Sequence, residues 1–209
     1  EAAKKIMKLF DVEWKLQGKN VNAVQVLTPL REDTKVSANA LNLKIKDRIN
    51  PYQRGQQEIK NGNKIFRIQD KVMQTKNEDE ISNGDIGIVR KIGKMSGKKY
   101  MEVDFGEERV MRYQEGESWN LVHAYAITAH KGQGSEYPVV IIPILSCFRR
   151  HTLKRNLYYT EITRAKRKVI LVGSKQAFSQ AIRAGRSKKR NTLLSYRLKK
   201  AFAEVSDKN

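Results

Sequence analysis

Near the middle of the chain, Thr128-Ala129-His130-Lys131-Gly132-Gln133-Gly134-Ser135-Glu136 crowds an imidazole, an ammonium, an amide and a carboxylate into one short polar stretch. A simple connector needs none of these groups. Gly132 and Gly134 let the backbone turn sharply or approach a ligand closely, and Thr128 is placed to cap a short helix. His130, Lys131, Gln133 and Glu136 would then project toward whatever lies at the carboxyl end of a sheet. A second stretch, residues 156–166, reads as a helix with Thr160, Thr163 and Arg164 near its C-terminal end.

Several chemistries are missing from the sequence. It holds no G-x-x-x-x-G-K-[ST] phosphate loop, no HExxH, no G-x-S-x-G and no Cys/His zinc spacing. Its three histidines, His123, His130 and His151, are not spaced as metal ligands, and Cys147 is the only cysteine. That cysteine is expected to be a small packing residue after an apolar strand. Alone, the chain lacks the usual parts for binding magnesium nucleotide. What it has is charge: 42 Lys+Arg against 22 Asp+Glu, a formal net charge of +20 over 209 residues. Such an imbalance favours a polyanion, nucleic acid ahead of an acidic membrane surface. No apolar run of membrane-spanning length and no signal peptide is present, so a cytoplasmic location is expected and a membrane partner is not.

The elements that must position these groups follow from periodicity. Residues 2–17 place Ile6, Leu9, Phe10, Trp14 and Leu16 on one helical face. Residues 24–29 read as a strand closed by Pro29, and a helix runs from about Ser37 to Ile49 with Leu41, Ile45 and Ile49 inward. Strand, loop and helix at this spacing make half of a βαβ unit. From about 64 to 122 the texture changes to short alternating runs separated by Asn83-Gly84-Asp85, Gly93, Ser96-Gly97 and Gly106, the pattern of a small SH3-like barrel. Its basic loop, Arg90 to Lys99, fits a phosphate contact or a solvated hairpin. Residues 138–144 are the most apolar run, as for a strand buried in a parallel sheet. A second buried strand, 169–172, ends at Gly173, and Ser174 caps a helix to about Ala184. A basic stretch, 186–192, precedes a last amphipathic helix carrying Leu194 and Leu198. The division expected is residues 1–64 and 122–209 as two parts of one α/β domain, with 65–121 as the inserted barrel. The chain begins with a helical pattern already under way and not with Met, as an excised fragment would.

With these residues in order, a resemblance emerges. "AYAITAHKGQGSEYPVVIIPI" followed by "NLYYTEITRAKRKVILVG" resembles motifs V and VI of superfamily 1 helicases, in the RecD/TraA-like group that includes the exodeoxyribonuclease V alpha subunit. "VQVLTPLRED" with "ALNLKIKDRINP" is similar to that group's motif IV region, and "QDKVMQTKNEDEISNGDIGIV" to its barrel. The resemblance spans nearly all of residues 21–200. It implies the second RecA-like motor domain of an ATP-dependent, 5′ to 3′ DNA helicase. There, ATP sits between two such domains: the first supplies the phosphate loop and magnesium carboxylate, the second supplies arginines.

The resemblance also implies roles. Arg164 matches the motif VI arginine and Arg31 the motif IV arginine, both placed to meet charge developing on a γ-phosphate. Glu136 matches the acid that reaches a ribose, with Gln133 and Gly134 beside it at the nucleotide. Thr128, His130, Lys131 and Thr160 fall where the family holds single-stranded DNA. Implied cofactors are ATP and Mg2+, bound mainly by a half of the protein outside this chain. Implied partners are single-stranded DNA or a duplex junction, the N-terminal RecA-like domain, and recombination or repair subunits. Plainer readings stand beside these: Arg164 paired with Glu161, Arg31 balanced by Glu32 and Asp33, Glu136 paired with Lys131, and Tyr158 and Tyr159 as helix packing. Two positions depart from the family pattern. Glu161 stands where a small residue is usual, and Gly132 where Ser is common. Rival functions are a non-catalytic nucleic-acid-binding module, the helicase part of a conjugative relaxase, or an RNA translocase.

Overall fold

The computed structural model describes residues 1–117, 119–149, 152–184, 193 and 196–198. In chain order the elements are α1 (Ala2–Leu16), β1 (Val24–Thr28), α2 (Ala38–Ile49), β2 (Glu58–Asn61), β3 (Lys64–Arg67), β4 (Lys71–Gln74), β5 (Ile86–Met95) and β6 (Lys98–Asp104). They continue with β7 (Val110–Gln114), β8 (Leu121–His123), β9 (Ala126–Thr128), β10 (Tyr137–Ile144), α3 (Arg155–Ile162), β11 (Ala165–Gly173) and α4 (Lys175–Arg183).

A four-stranded parallel sheet in the order β11-β10-β1-β9 forms the larger layer. The two central strands are those whose sequences are most continuously apolar, because strands flanked on both sides and covered on both faces have no wet positions. β1 is buried throughout, and Gln25, its one amide, is satisfied by donating to the carbonyls of Ala124 and Tyr125 at 3.1 and 3.0 Å. α2 begins at Ser37, whose Oγ accepts from the Ala40 N–H, and Leu41 and Ile45 are wholly buried against the sheet. α1 buries Ala3, Ile6 and Phe10, while Leu16 stands outside the stripe and is exposed. Glu13 on the same buried face is met by the Lys168 ammonium of β11 at 2.5 Å.

The smaller unit is an antiparallel sheet in the order β7-β6-β5-β4-β8 with the β2-β3 hairpin packed on it. Its core gathers Ile59, Phe66, Val72, Val89, Met101, Val103, Trp119 and Leu121. Ile59 belongs to this core, so the barrel draws on a strand that starts before the expected boundary at residue 65. That strand, Glu-Ile-Lys-Asn, offers one apolar residue and was invisible to periodicity. Gly87 is dictated by packing: a Cβ there would lie 2.6 Å from Val103 Cγ1 and 2.8 Å from the Asp104 carbonyl.

Where the two units meet, the contacts are polar and buried. The Asp70 carboxylate, with no exposed surface, accepts from the Arg67 N–H at 2.8 Å, Asn50 Nδ2 at 2.8 Å and the Tyr125 hydroxyl at 3.1 Å. His123 lies 3.3 Å away and the Lys46 ammonium 3.9 Å. Next to it, Lys71 is fully buried; its ammonium donates to Gln25 Oε1 and the Val21 carbonyl and lies over the Tyr137 ring. Burial pulls that ammonium down to about 7. Asn42 of α2 donates to the carbonyls of His123 and Ala126 and accepts from the Ala126 N–H, which pins the two-residue passage from β8 to β9.

Several expectations change. The helix at 156–166 stops at Ile162, and Lys166 lies on β11. β11 is an edge strand, not a buried one: Leu171 is exposed and only Val172 is buried. Cys147 is exposed, because the residue of its loop that turns inward is Phe148. Leu198 is exposed as well, and His151, Arg150, the basic stretch 186–192 and Leu194 lie outside the described residues. Among the described residues no helix is long and apolar enough to cross a membrane.

Removing the Asp70 carboxylate strands several buried donors at once. Asp70→Ala is expected to cost about 3–5 kcal/mol in chemical denaturation. An unchanged denaturation midpoint would show that the joint holds without it.

Candidate nucleotide and nucleic-acid site

The central stretch leaves β9 at its carboxyl end and runs through successive turns to β10. No helix forms there. The Thr128 carbonyl accepts the N–H groups of Lys131 and Gly132 at 2.9 and 3.1 Å, so Thr128 starts the turn through its backbone and not through a side-chain cap. Gly134 has φ +85°, a conformation that favours glycine. Gly132 packs closely: a Cβ there would sit 3.1 Å from Leu27 Cδ2.

Two clefts flank this turn. The first, about 320 Å³, lies between α2, β9 and the end of β4 and is lined by Arg31, Asn39, Thr75, Lys76, Thr128 and Lys131 among others. Lys131 also reaches across to the barrel, where its ammonium donates to Asn83 Oδ1. Lys64 lies close by. Its ammonium is held below the usual lysine range first by burial and then by the Arg31 guanidinium. Arg31 makes no ion pair with Glu32 or Asp33, so positive charges face one another along this cleft. The second cleft, about 460 Å³, sits at the carboxyl end of β1 and is lined by Pro29, Leu30, His130, Gln133, Lys154, Asn156 and Thr160. The structure therefore brings His130, Gln133 and Thr160 together, and Arg31, Thr128 and Lys131 together. Arg31 does not share a cleft with the α3 residues. Asn39, Thr75, Lys76 and Lys154 were missed from the sequence, since each is an ordinary polar residue until the fold aligns it.

Arg164 follows α3 and is half-buried; its backbone carbonyl accepts from the Tyr137 N–H. Its guanidinium donates to the Thr160 carbonyl at 3.3 Å and contacts Thr163 Oγ1 at 3.4 Å, and among the described residues no carboxylate pairs with it. The pairing with Glu161 does not occur. Glu161 points the other way: it is wholly buried, neither oxygen finds a hydrogen-bond partner among the described residues, and burial raises its carboxyl to about 8. The Tyr158 hydroxyl is likewise buried and unpartnered, whereas Tyr159 is exposed and takes no part in packing. Glu136 pairs with Lys166 at 3.3 Å and not with Lys131; both groups are more than half exposed, so the pair is weak.

A parallel α/β sheet with its polar turns at the carboxyl ends, interrupted by a small antiparallel barrel, defines a RecA-like motor domain of the superfamily 1 helicase type. Residues 41–105 match the family described as "ATP-dependent RecD-like DNA helicase SH3 domain", and residues 123–172 match "UvrD-like helicase C-terminal domain". The chain is 37% identical over 179 residues to the ATP-dependent RecD2 DNA helicase of Deinococcus radiodurans, covering 85% of this chain and 24% of that protein. It is 33% identical over 103 residues to the RecBCD enzyme subunit RecD of Mycobacterium tuberculosis, covering 49% of this chain and 17% of that protein. Among solved structures, the Pif1 helicase from Candida albicans shares the fold, with a TM-score of 0.51 at 15% identity over 84% of this chain and 50% of that one. The chain belongs to the RecD-like group of superfamily 1 helicases. It spans about a quarter or less of the length of these curated relatives.

The buried Glu161 gives a pH signature. Its folded carboxyl is raised from 4.5 to about 8, so the folded chain keeps a proton that the unfolded chain releases. Its contribution therefore weakens as pH rises across that window. Thermal midpoints are expected to fall from pH 5 to pH 8, and Glu161→Gln to flatten part of that slope, worth on the order of 3 kcal/mol. An identical slope in the variant would show that the carboxyl is solvated.

Proposed function

We propose that this chain is the C-terminal motor portion of an ATP-dependent DNA helicase that moves 5′ to 3′ along single-stranded DNA. The observation that carries the reading is Arg164: a half-buried guanidinium just past α3, held against the carbonyl of Thr160, which itself lines the second cleft, with no carboxylate neutralising it among the described residues. A phosphate is the natural partner for such a group. Kinship with a helicase at 37% identity supports the same reading.

Bound magnesium nucleotide supplies the phosphoryl group and the free energy of its hydrolysis. The residues here fit the polyphosphate and sugar, not the metal. Among the described residues no three His, Cys, Asp or Glu side chains gather as ligands, so magnesium belongs to the partner motor domain in this proposal. Arg164, with Arg31 as a second candidate, brings positive charge toward the γ-phosphate. Glu136, released from its weak pair with Lys166, accepts a hydrogen bond from the ribose, and Gln133 and the Gly134 backbone border the nucleotide. Thr128, His130, Lys131 and Thr160 hold the backbone of single-stranded DNA. Arg31 lines the same cleft as Thr128 and Lys131, which equally fits a phosphate of the strand. Closure of the interdomain cleft on nucleotide would then shift this domain along the strand. Recombination or repair subunits are the proposed wider partners.

Within the complete protein, Arg164→Ala is expected to lower ATPase turnover about a thousandfold while nucleotide affinity changes little, and Arg164→Lys to rescue poorly. Near-normal turnover in the alanine variant would overturn the assignment. His130→Ala is expected to weaken single-strand binding and DNA stimulation of the ATPase; stimulation equal to the parent's would remove His130 from the strand.

A further inference from the structure

A third cleft is separate from the two described above. It measures about 710 Å³ and is lined by Tyr52, Gln56, Gln57, Lys60, Lys94 and Lys99, with Glu58, Ile92, Gly93 and Glu115. It shares no residue with the other two clefts, and all its lining comes from the barrel and the segment leading into it.

The lining has a definite chemistry. Tyr52 is 57% exposed, and the Arg67 guanidinium lies 5.7 Å from its ring centroid. Arg67 is itself anchored by Glu58 at 2.5 Å and by the Asn50 carbonyl at 3.0 Å, so the ring rests on a fixed support while much of its surface stays open. Lys60 and Lys94 are exposed, and Lys99 is half-buried, its ammonium donating to the Glu58 carbonyl at 3.0 Å with further protons to offer. Of the two carboxylates in the lining, Glu58 is neutralised by Arg67. Glu115 accepts the Lys99 N–H at 3.2 Å. Three ammonium groups remain against the one carboxylate of Glu115, unpaired among the described residues, with the amides of Gln56 and Gln57 and one supported, open aromatic ring.

We infer that this groove is a second nucleic-acid site, which takes an unpaired strand separate from the one held across the motor clefts. Lysines meet phosphates, the Tyr52 ring stacks on a base, and Gln56 and Gln57 meet base edges without fixing a sequence. An unpaired strand suits the site better than a duplex, because stacking on Tyr52 requires a base face that pairing neighbours would cover. The basic run between Arg90 and Lys99, left open between a phosphate contact and a solvated hairpin, is thereby assigned: Lys94 and Lys99 are its working part. This inference rests on the polynucleotide reading above.

The test uses the complete protein, without nucleotide, and two fluorescent probes: a short oligothymidylate and a fork with two unpaired thymidylate arms. The double variant Lys60→Glu/Lys94→Glu is expected to bind the oligothymidylate as the parent does and the fork five- to tenfold more weakly. Its dependence of log affinity on log salt should fall by roughly 1.4 on the fork, the share of two single-strand phosphate contacts. Tyr52→Ala is expected to weaken fork binding two- to fivefold, with Tyr52→Phe restoring it. Lys131→Glu, in the motor cleft, should weaken both probes. Fork affinity equal to the parent's in the double variant, or equal losses on both probes, overturns the second site. A parent that binds neither probe overturns the helicase reading itself, and with it this one.

Discussion

One buried carboxylate holds the two halves of the chain in register. Asp70 sits at the turn between β3 and β4, and its acceptors are used by a backbone N–H of the barrel, by Asn50 just past α2, and by the Tyr125 hydroxyl beside the motor sheet. A charge with no exposed surface is tolerable only when surrounded in this way. The surroundings in turn constrain everything else. Tyr125 must stay where its hydroxyl reaches, which fixes β9; Asn42 locks the backbone between β8 and β9; and Lys71, one residue on, ties the same corner to β1 through Gln25. The turn after β9, with its polar groups, is therefore held at its base by the barrel and not by the sheet alone.

Much of the architecture was legible because apolar sequence and burial coincide. The run from Val139 to Ile144 could only be a central strand, and Ser37 before a periodic segment could only be a helix start. Legibility fails where polar residues are buried or apolar ones are not. Asp70, Lys71, Gln25 and Asn42 look like surface residues in the sequence, and their partners lie as many as a hundred positions away. Leu171 and Leu16 look like core and are exposed, because one lies on an edge strand and the other at a helix end beyond its covered stripe. Glu161 misled for a related reason: read as three residues from Arg164 on one helix it had the spacing of an ion pair, yet α3 ends at Ile162 before Arg164 and turns Glu161 inward.

The candidate site was legible as a set of residues and not as an arrangement. Spacing put His130, Gln133 and Glu136 in one turn but could not say that His130 and Gln133 face α3 while Lys131 faces the barrel. One short segment thus borders two clefts, one lined by His130, Gln133 and Thr160 and the other by Arg31, Lys76 and Lys131, and only a few covalent bonds separate the two linings.

The placement of β1 also has a consequence for how the chain comes together. β1 is synthesised early, yet both its neighbours arrive late: Val26 pairs with Ala126 and Val24 with Val139. Until then a strand whose only polar side chains are Gln25 and Thr28 has only α1 and α2 to shelter it. The intervening barrel is built from hairpins between sequence neighbours, which close quickly, whereas the sheet must wait for loop closure over about a hundred residues. The barrel's short-range hairpins are thus placed to close before the sheet does, and β8, paired to β4, carries β9 to within two residues of its place beside β1.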